Sequence, residues 1–279
     1  MKLKSFSKIN LSLTVYKKLK KKRLHNIQSY FCQTNLFDEI KVKKINGKKD
    51  IIKFNGRFSK YIDKKNNSII NTLTILRNKN IISNYYFVQI NKKIPVFSGL
   101  AGGTGNAASI IKYFTKNKIS KNLLNVLSKK IGSDLKLFFY DQGFLQNIKT
   151  VNNFKKKFNL HFLLIYPNIK SSTKYVYSGI KKYTSTPKQK LKKISDKNEF
   201  INFIFSQKND LQKIVEKKHP IIKQLIFETS QNKGCYFSRM TGSGSACYGV
   251  FQSKKSAKIA LTRIKRKYPK FWLSIAKTI

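Results

Sequence analysis

The chain has 279 residues, with 59 Lys or Arg against 11 Asp or Glu and a formal net charge of +48. Its length suits two domains or one large one, and 41% hydrophobic residues are enough for ordinary cores. No apolar run reaches the ~18 residues of a membrane span, and residues 1–8 lack a signal-peptide core. Cys32, Cys235 and Cys247 match neither a disulfide framework nor a zinc site. We therefore expect a cytoplasmic protein with no membrane partner and no dedicated metal site.

The excess of positive charge is almost entirely lysine, since only six of the basic residues are arginine. Arginine is the residue that base and phosphate readers favour, and here the lysines are spread over the whole chain. Compositional drift on solvated faces therefore explains the charge better than a specific nucleic-acid partner, although a polyanion-binding surface remains an open alternative.

Hydrophobic periodicity predicts strands and helices in alternation through the first half of the chain. The predicted strands are residues 5–16, 27–37, 40–45, 51–58 and 83–90, and the predicted helices are residues 66–76, 106–113 and 123–131. The basic run 17–23 is interpreted as a loop, Asp38-Glu39 as a turn and Gly132 as the end of a helix.

The second half begins with a buried strand that stops at Pro167. The predicted strands are residues 160–166, 235–240, 247–251 and 271–276, and the predicted helices are residues 173–183, 196–206, 208–217, 219–230 and 253–267. The polar stretch 147–157 marks a boundary between predicted domains 1–155 and 156–279. This order of elements favours an α+β fold.

Gly99, Gly102, Gly103 and Gly105 fall within seven residues, between a predicted strand and a predicted helix. Glycines let backbone N–H groups approach phosphate oxygens, and a helix N-terminus adds positive potential. The segment lacks the Gly-Lys-Ser/Thr end of the common P-loop and only weakly fits a dinucleotide pattern. It therefore predicts a phosphate-binding loop, with a plain strand-to-helix turn as the alternative.

Asp134 is conspicuous because acids are few and its surroundings, residues 131–139, are largely apolar. Such a carboxylate is solvated, paired or catalytic, and a helix cap is the alternative. Phosphoryl transfer needs a phosphate cradle, positive charge and a proton acceptor, which the glycine loop, a lysine and Asp134 would provide. Lys8 is one candidate lysine among many.

Four segments, in order, carry a resemblance to a known superfamily. They are residues 7–11, 93–108, 131–135 and 240–246. Together they resemble the galactokinase, homoserine kinase, mevalonate kinase and phosphomevalonate kinase (GHMP) superfamily. Within it they most resemble the kinases of 4-diphosphocytidyl-2-C-methyl-D-erythritol, an alcohol of the non-mevalonate isoprenoid route. The resemblance implies an N-terminal ribosomal-protein-S5-like βα domain and a C-terminal ferredoxin-like α+β domain. It also implies ATP-dependent phosphorylation of the 2-hydroxyl of a small-molecule substrate by a monomer or weak homodimer.

The resemblance also implies roles for individual residues. Lys8 and Asp134 would be the catalytic pair: Asp134 takes the hydroxyl proton, while Lys8 keeps Asp134 ionised. The residues implied to bind ATP, which arrives with Mg²⁺, are Asn67, Pro95, Val96, Phe97, Ser98, Gly99, Leu100, Ala101, Gly102, Gly103, Thr104, Gly105 and Asn106. The residues implied to bind the substrate are Asn10, His25, Thr173, Tyr177, Gly242 and Ser243. Among these, Tyr177 would stack on the cytosine.

The sequence departs from the resembled kinases at four places. Leu24 stands where a second stacking tyrosine is usual, Lys136 where a proline is usual, and Thr104-Gly105 where two serines are usual. The run 17–23 also lacks the glycine that usually precedes the histidine. One lost stacking partner weakens binding by ~1–3 kcal/mol, unless an aromatic ring comes from elsewhere.

Two alternative functions stay open. One is a GHMP kinase of the homoserine or mevalonate type, and the other is a basic RNA-binding protein.

Overall fold

The computed structural model describes residues 1–18, 25–148, 150–154, 156–185 and 194–279. These residues form two compact units, and neither is continuous in sequence. Unit 1 comprises residues 1–8, 35–96 and 101–139, and unit 2 comprises residues 9–34, 97–100 and 140–279. The predicted boundary between residues 155 and 156 stays a prediction. None of the helices in the described segments has the length and apolar character needed to cross a membrane.

Unit 1 contains a small sheet covered by three helices. Its strands are β1 (Lys2–Asn10, up to Lys8), the second half of β3 (His25–Ile45), β4 (Ile51–Asn55) and β5 (Tyr85–Asn91). Its helices are α1 (Ser68–Asn78), α2 (Gly102–Phe114) and α3 (Lys121–Ile131), with 3-10 helices at Ser59–Tyr61 and Ser133–Phe139. Strand β5 lies between antiparallel β3 and parallel β4, so β4, α1 and β5 form a βαβ connection.

The core of unit 1 is built from the inward faces of these elements. Ile40 and Ile90 are directly opposed in the β3–β5 pairing, and both are buried. Leu73 of α1 and Ile110 of α2 pack in the same cluster, together with Leu135 of the second 3-10 helix. Burial of these apolar faces fixes where α2 and the 3-10 helix begin.

Unit 2 contains a four-stranded antiparallel sheet in the order β11-β8-β10-β9. Its strands are β8 (His161–Tyr166), β9 (Cys235–Met240), β10 (Cys247–Phe251) and β11 (Trp272–Lys277). Its helices are α4 (Thr173–Ser178), α5 (Lys197–Ser206), α6 (Gln212–Lys218), α7 (Pro220–Ser230) and α8 (Lys254–Lys267). Helices between β8 and β9, followed by α8 between β10 and β11, give the ferredoxin-like order of elements that was predicted.

The rest of unit 2 is a second group of strands. The first half of β3 pairs with β2 (Thr14–Lys18) and with β6 (Gln142–Asn147), and β6 pairs with β7 (Thr150–Asn153). The hairpin of β6 and β7 occupies most of the polar stretch that was predicted to be a boundary. Its residues are largely polar, so periodicity does not reveal it.

Several predicted boundaries are wrong. The predicted strand 5–16 is interrupted between Asn10 and Thr14, and α4 ends at Ser178 and not near residue 183. Helix α2 begins at Gly102, so most of the predicted glycine loop is its first turn. The predicted turn at Asp38-Glu39 is absent, because β3 runs without interruption from His25 to Ile45. Strands β8 and β10, by contrast, lie within one residue of their predicted bounds.

Candidate active site

Lys8 and Asp134 form an ion pair in unit 1. Lys8 Nζ lies 2.9 Å from Asp134 Oδ2. The lysine side chain is 1% exposed, whereas the aspartate side chain is 35% exposed. One partner is therefore fixed within the protein, and the carboxylate still faces water. The pair that the resemblance implied is thus brought together, with one carboxylate available to a ligand.

The position of Asp134 follows from its neighbours in sequence. Helix α3 ends at Gly132, whose φ of 143° is a conformation that side chains rarely adopt. The chain then enters the 3-10 helix, in which Leu135 and Phe138 are buried. These two anchors hold Asp134 at the start of that helix and leave its side chain partly in solvent.

Unit 1 contains a second lysine–aspartate pair, Lys92 with Asp38, and this pair is fully enclosed. Lys92 Nζ donates to Asp38 Oδ2 and, at 2.8 Å, to Asn106 Oδ1. Asn106 Nδ2 donates to Asp38 Oδ2 at 2.9 Å. Asp38 Oδ1 accepts from the backbone N–H groups of Lys93 (2.7 Å) and Ile94 (2.9 Å). The residues of this cluster come from β3, from the segment after β5 and from α2. Their hydrogen bonds therefore connect these three parts of the unit.

The enclosed pair was not predicted from the sequence, where Asp38 was interpreted as a turn residue. Burial lowers the pKa of Lys92 from its ordinary value, and the charge of Asp38 opposes that shift. Asn106, implied as an ATP ligand, has its side chain committed to Lys92 and Asp38. Its side chain therefore acts as a structural partner of the buried pair.

The first turn of α2 has one packed side and one open side. A Cβ at Gly105 would lie 2.8 Å from the Phe6 carbonyl oxygen and 2.9 Å from Phe138, so this glycine is required for packing. Gly103 is exposed, and a Cβ there would have only Ser68 Oγ within 4 Å, at 3.8 Å. The helix start therefore leaves backbone accessible at Gly103, as a phosphate cradle requires.

Asn67 is placed next to this helix start. Its side chain caps α1 by accepting from the N–H groups of Ile69 and Ile70. The adjacent Ser68 donates from Oγ to the Gly103 carbonyl oxygen at 2.9 Å. The starts of α1 and α2 are therefore joined, which places Asn67 near the predicted nucleotide loop. Thr104, half-buried, follows Gly103 in the same turn.

In unit 2, residues 97–100 of the first glycine loop lie against a second glycine loop, residues 240–246. The Ala246 N–H donates to the Ser98 carbonyl oxygen at 2.9 Å. Gly99 has a φ of 81°, and a Cβ there would collide with the Thr241 carbonyl oxygen. Residues 97–100 belong to this unit, whereas Pro95, Val96 and the residues from Ala101 to Phe139 belong to unit 1.

The second glycine loop is held by polar side chains around it. Asn10 N–H donates to Thr241 Oγ1 at 2.9 Å, and Asn209 Nδ2 donates to the carbonyl oxygens of Met240 and Gly242, both at 2.9 Å. Thr173 Oγ1 lies 2.9 Å from Ser243 Oγ. Of the implied substrate residues, Asn10, Thr173, Gly242 and Ser243 are therefore brought to this loop.

The remaining implied substrate residues, His25 and Tyr177, form a ring stack. Their centroids are 5.0 Å apart with an interplanar angle of 28°. Tyr183 lies on the same histidine at 5.9 Å and 33°. Leu24 and the run 19–23 lie outside the described residues. Nothing in the sequence distinguishes Tyr183 from the other tyrosines, of which the chain has 14 in all.

Comparison with known proteins agrees with this architecture. The family model GHMP kinases C terminal matches residues 189–270. A relative named 4-diphosphocytidyl-2-C-methyl-D-erythritol kinase from Pelagibacter ubique (strain HTCC1062) is 37% identical, over 100% of this chain and 99% of its own. One of the same name from Wolbachia pipientis wMel is 30% identical, over 97% and 96% of the two chains.

Solved structures share the fold. A crystal structure of 4-(cytidine 5'-diphospho)-2C-methyl-D-erythritol kinase superposes with a TM-score of 0.72 at 17% identity, over 99% of each chain. A homoserine kinase from Cytophaga hutchinsonii superposes with a TM-score of 0.62 at 16% identity, over 100% of this chain and 94% of that one. The family-model match and the full-length relatives named as kinases show that the chain is an ATP-dependent kinase of the GHMP superfamily. The full-length relatives show more: the chain belongs to the family of 4-diphosphocytidyl-2-C-methyl-D-erythritol kinases.

Proposed function

We propose that the chain transfers the γ-phosphoryl group of ATP to the 2-hydroxyl of 4-diphosphocytidyl-2-C-methyl-D-erythritol. The observation that carries the proposal is the Lys8–Asp134 pair, with a buried lysine and a partly exposed carboxylate. Asp134 accepts the hydroxyl proton as the substrate oxygen bonds to phosphorus and the bond to the ADP oxygen breaks. Lys8 holds the carboxylate in place and stabilises its negative charge.

The backbone at the start of α2 binds the ATP phosphates in this proposal. Gly103 is exposed there, and the N-terminal N–H groups of a helix suit an anion. Mg²⁺ enters with the nucleotide, because this ion keeps phosphate oxygens and water as ligands and needs few from the protein. The Thr104 hydroxyl is suited to contact the Mg²⁺ or the phosphate. Its oxygen lies 3.9 Å from the position that a Cβ would take at Gly132, and Gly132 is two residues before Asp134.

In this proposal the cytidine diphosphate alcohol is bound by Asn10, His25, Thr173, Tyr177, Gly242 and Ser243. Support comes from the proximity of Asn10, Thr173 and Ser243 at the second glycine loop. We further propose a cytoplasmic enzyme, a monomer or weak homodimer, without a specific nucleic-acid or membrane partner.

ATP consumption by the purified chain with Mg²⁺ tests the substrate directly. The acceptors are 4-diphosphocytidyl-2-C-methyl-D-erythritol, homoserine and mevalonate, each at the same concentration. We expect ADP release only with the cytidylyl alcohol and transfer of one phosphate to it. Turnover with homoserine or mevalonate alone would assign another substrate to the same catalytic pair. Tight RNA binding without turnover on any acceptor would contradict the proposal.

A further inference from the structure

The most informative feature outside the catalytic pair is a group of three rings in unit 2. His25 is the first residue of β3, and Tyr177 and Tyr183 both lie against its ring, with angles of 28° and 33°. Tyr183 is 41% exposed, which leaves much of its ring in contact with solvent. A histidine with two tyrosine rings lying against it, all partly accessible, forms an aromatic surface suited to a flat aromatic ligand.

The early end of α4 is what allows Tyr183 to reach this surface. A helix continued to residue 183 would turn by about 600° between positions 177 and 183, so the two tyrosines would point in different directions. Instead the helix ends at Ser178, and the Gly179 N–H donates back to the carbonyl oxygens of Tyr175 and Val176. The chain then leaves the helix, which brings Tyr183 onto the histidine that Tyr177 also contacts.

Thr184, the next residue, is fastened to β2. Its N–H donates to the Val15 carbonyl oxygen at 3.1 Å, and its Oγ1 donates to Asp210 Oδ2 at 3.0 Å. The same Asp210 oxygen accepts from the Val15 N–H at 2.8 Å. The Asp210 N–H in turn donates to the Leu13 carbonyl oxygen at 2.8 Å. Asp210 therefore holds the segment bearing Tyr183 against β2.

Strand β2 lies beside the start of β3, which carries the histidine. It pairs with β3 in a register that sets Lys18 opposite His25 and Val15 opposite Ile27. A segment fixed to Val15 thus lies close to the start of β3. The position of Tyr183 is set by backbone and carboxylate hydrogen bonds, and it does not depend on the ring contact alone.

We propose that Tyr183 stacks on the cytosine of the substrate, as an aromatic partner additional to Tyr177, and that Asp210 is its positioning residue. This inference rests on the proposed function, because it assigns the base-binding part of the same substrate. The chain has leucine at position 24, so an aromatic ring from that position is not available to the base. Tyr183 supplies such a ring from a later part of the chain.

Steady-state kinetics of Tyr183→Ala and Tyr183→Phe test the stacking role. We expect Tyr183→Ala to raise KM for the cytidylyl alcohol by about 5- to 150-fold, the range of one base–aromatic stack. KM for ATP and kcat stay within about twofold, and Tyr183→Phe retains the wild-type KM because the ring remains. The matched control is Tyr175→Ala on α4, whose ring is 49% exposed and lies 3.9 Å from Lys218 Nζ.

Calorimetric titration with CDP separates this inference from the proposed function. If the wild type turns over no acceptor but binds CDP, and Tyr183→Ala loses that affinity, the ring assignment stands and the proposed reaction fails. If the KM values of Tyr183→Ala and Tyr175→Ala both match the wild type, the ring assignment is wrong. It is equally wrong if CDP binds both Tyr183 variants with wild-type affinity, or does not bind the wild type at all.

A double-mutant cycle tests Asp210. Asp210→Ala should raise KM for the cytidylyl alcohol in the wild type and add little in the Tyr183→Ala background, because it acts through the ring. A melting curve of each variant accompanies the kinetics. Equal increases of KM in both backgrounds, or a loss of kcat with KM unchanged, would show that Asp210 acts only on the fold.

Discussion

Two lysine–aspartate pairs lie in the same compact unit, and they differ in how far water reaches the carboxylate. Asp38 is 0% exposed and its oxygens accept from Lys92, Asn106 and two backbone N–H groups. Asp134 is 35% exposed beside Lys8. A carboxylate with all its partners supplied by the protein has no capacity left for a substrate. The open pair is therefore suited to chemistry and the enclosed pair to holding the fold.

The largest expected effect follows from removing the charge of the open pair. Asp134→Asn should lower kcat by about 10²- to 10⁴-fold, the usual contribution of a positioned proton acceptor. The amide keeps the size of the side chain but leaves the buried Lys8 ammonium without its counter-charge, so the melting temperature should fall while the affinity for ATP changes little. Turnover assays, calorimetric titration with ATP and a melting curve measure the three quantities.

A matched control for this variant is Asp141→Asn in unit 2. Asp141 pairs with Lys157, and both side chains are largely solvated, at 38% and 58% exposure. Exposed pairs of this kind contribute little to stability, so kcat and melting temperature should both stay near the wild type. If Asp134→Asn keeps more than a tenth of the wild-type kcat, Asp134 is not the proton acceptor.

Removing one partner of the enclosed pair should lower the stability of the fold. Lys92→Met leaves the Asp38 carboxylate buried without its counter-charge, and such a change costs about 3–5 kcal/mol of unfolding free energy. The urea midpoint of the purified variant measures it. The double variant Asp38→Leu with Lys92→Met should recover only part of that loss, because the N–H groups of Lys93 and Ile94 lose their acceptor.

The urea midpoint of Lys8→Met tests whether exposure of the carboxylate sets the loss of stability. Here the orphaned carboxylate of Asp134 is already partly hydrated, so the loss of stability should be smaller than for Lys92→Met. Equal losses at the two lysines would mean that exposure of the carboxylate does not distinguish the pairs.

The two pairs also mark what the sequence can predict. Local patterns predict β8 and the end of α3 at Gly132 well, because a continuous apolar run and a helix-ending glycine act locally. Asp38 was predicted to be in a turn, since Asp favours turns. Its hydrogen bonds to residues 92–94 and 106 keep it inside β3 instead, and contacts so distant in sequence leave no local pattern.

The residues of the candidate site also differ in how well the sequence identifies them. The glycines and Asp134 stand out from the sequence because glycine clusters and lone acids are rare in this chain. Lys8 does not stand out among 59 basic residues, and only the resemblance to a kinase family selected it. Tyr183 was not selected at all, because its position depends on where α4 ends and on the hydrogen bonds of Thr184 to Val15 and Asp210.

The smallest expected effect concerns the first turn of α2, which carries Asn106 of the enclosed cluster and the exposed Gly103. Gly103→Ala adds a methyl group into open space, so the free energy of unfolding should rise slightly, by up to about 0.5–1 kcal/mol. The same methyl group occupies space that the ATP phosphates need, so KM for ATP should rise about tenfold, which is about 1.4 kcal/mol of binding. Higher stability with weaker ATP binding separates a ligand-binding glycine from a structural one.

Gly105→Ala is the control on the packed side of that turn. Its methyl group would lie 2.8 Å from the Phe6 carbonyl oxygen, so this variant should lose about 1–3 kcal/mol of stability. Melting curves and ATP titrations on both variants distinguish the two sides of the turn. If Gly103→Ala binds ATP as tightly as the wild type, the phosphates do not approach α2 at Gly103. A methyl group there would clash with any ligand in contact with the backbone.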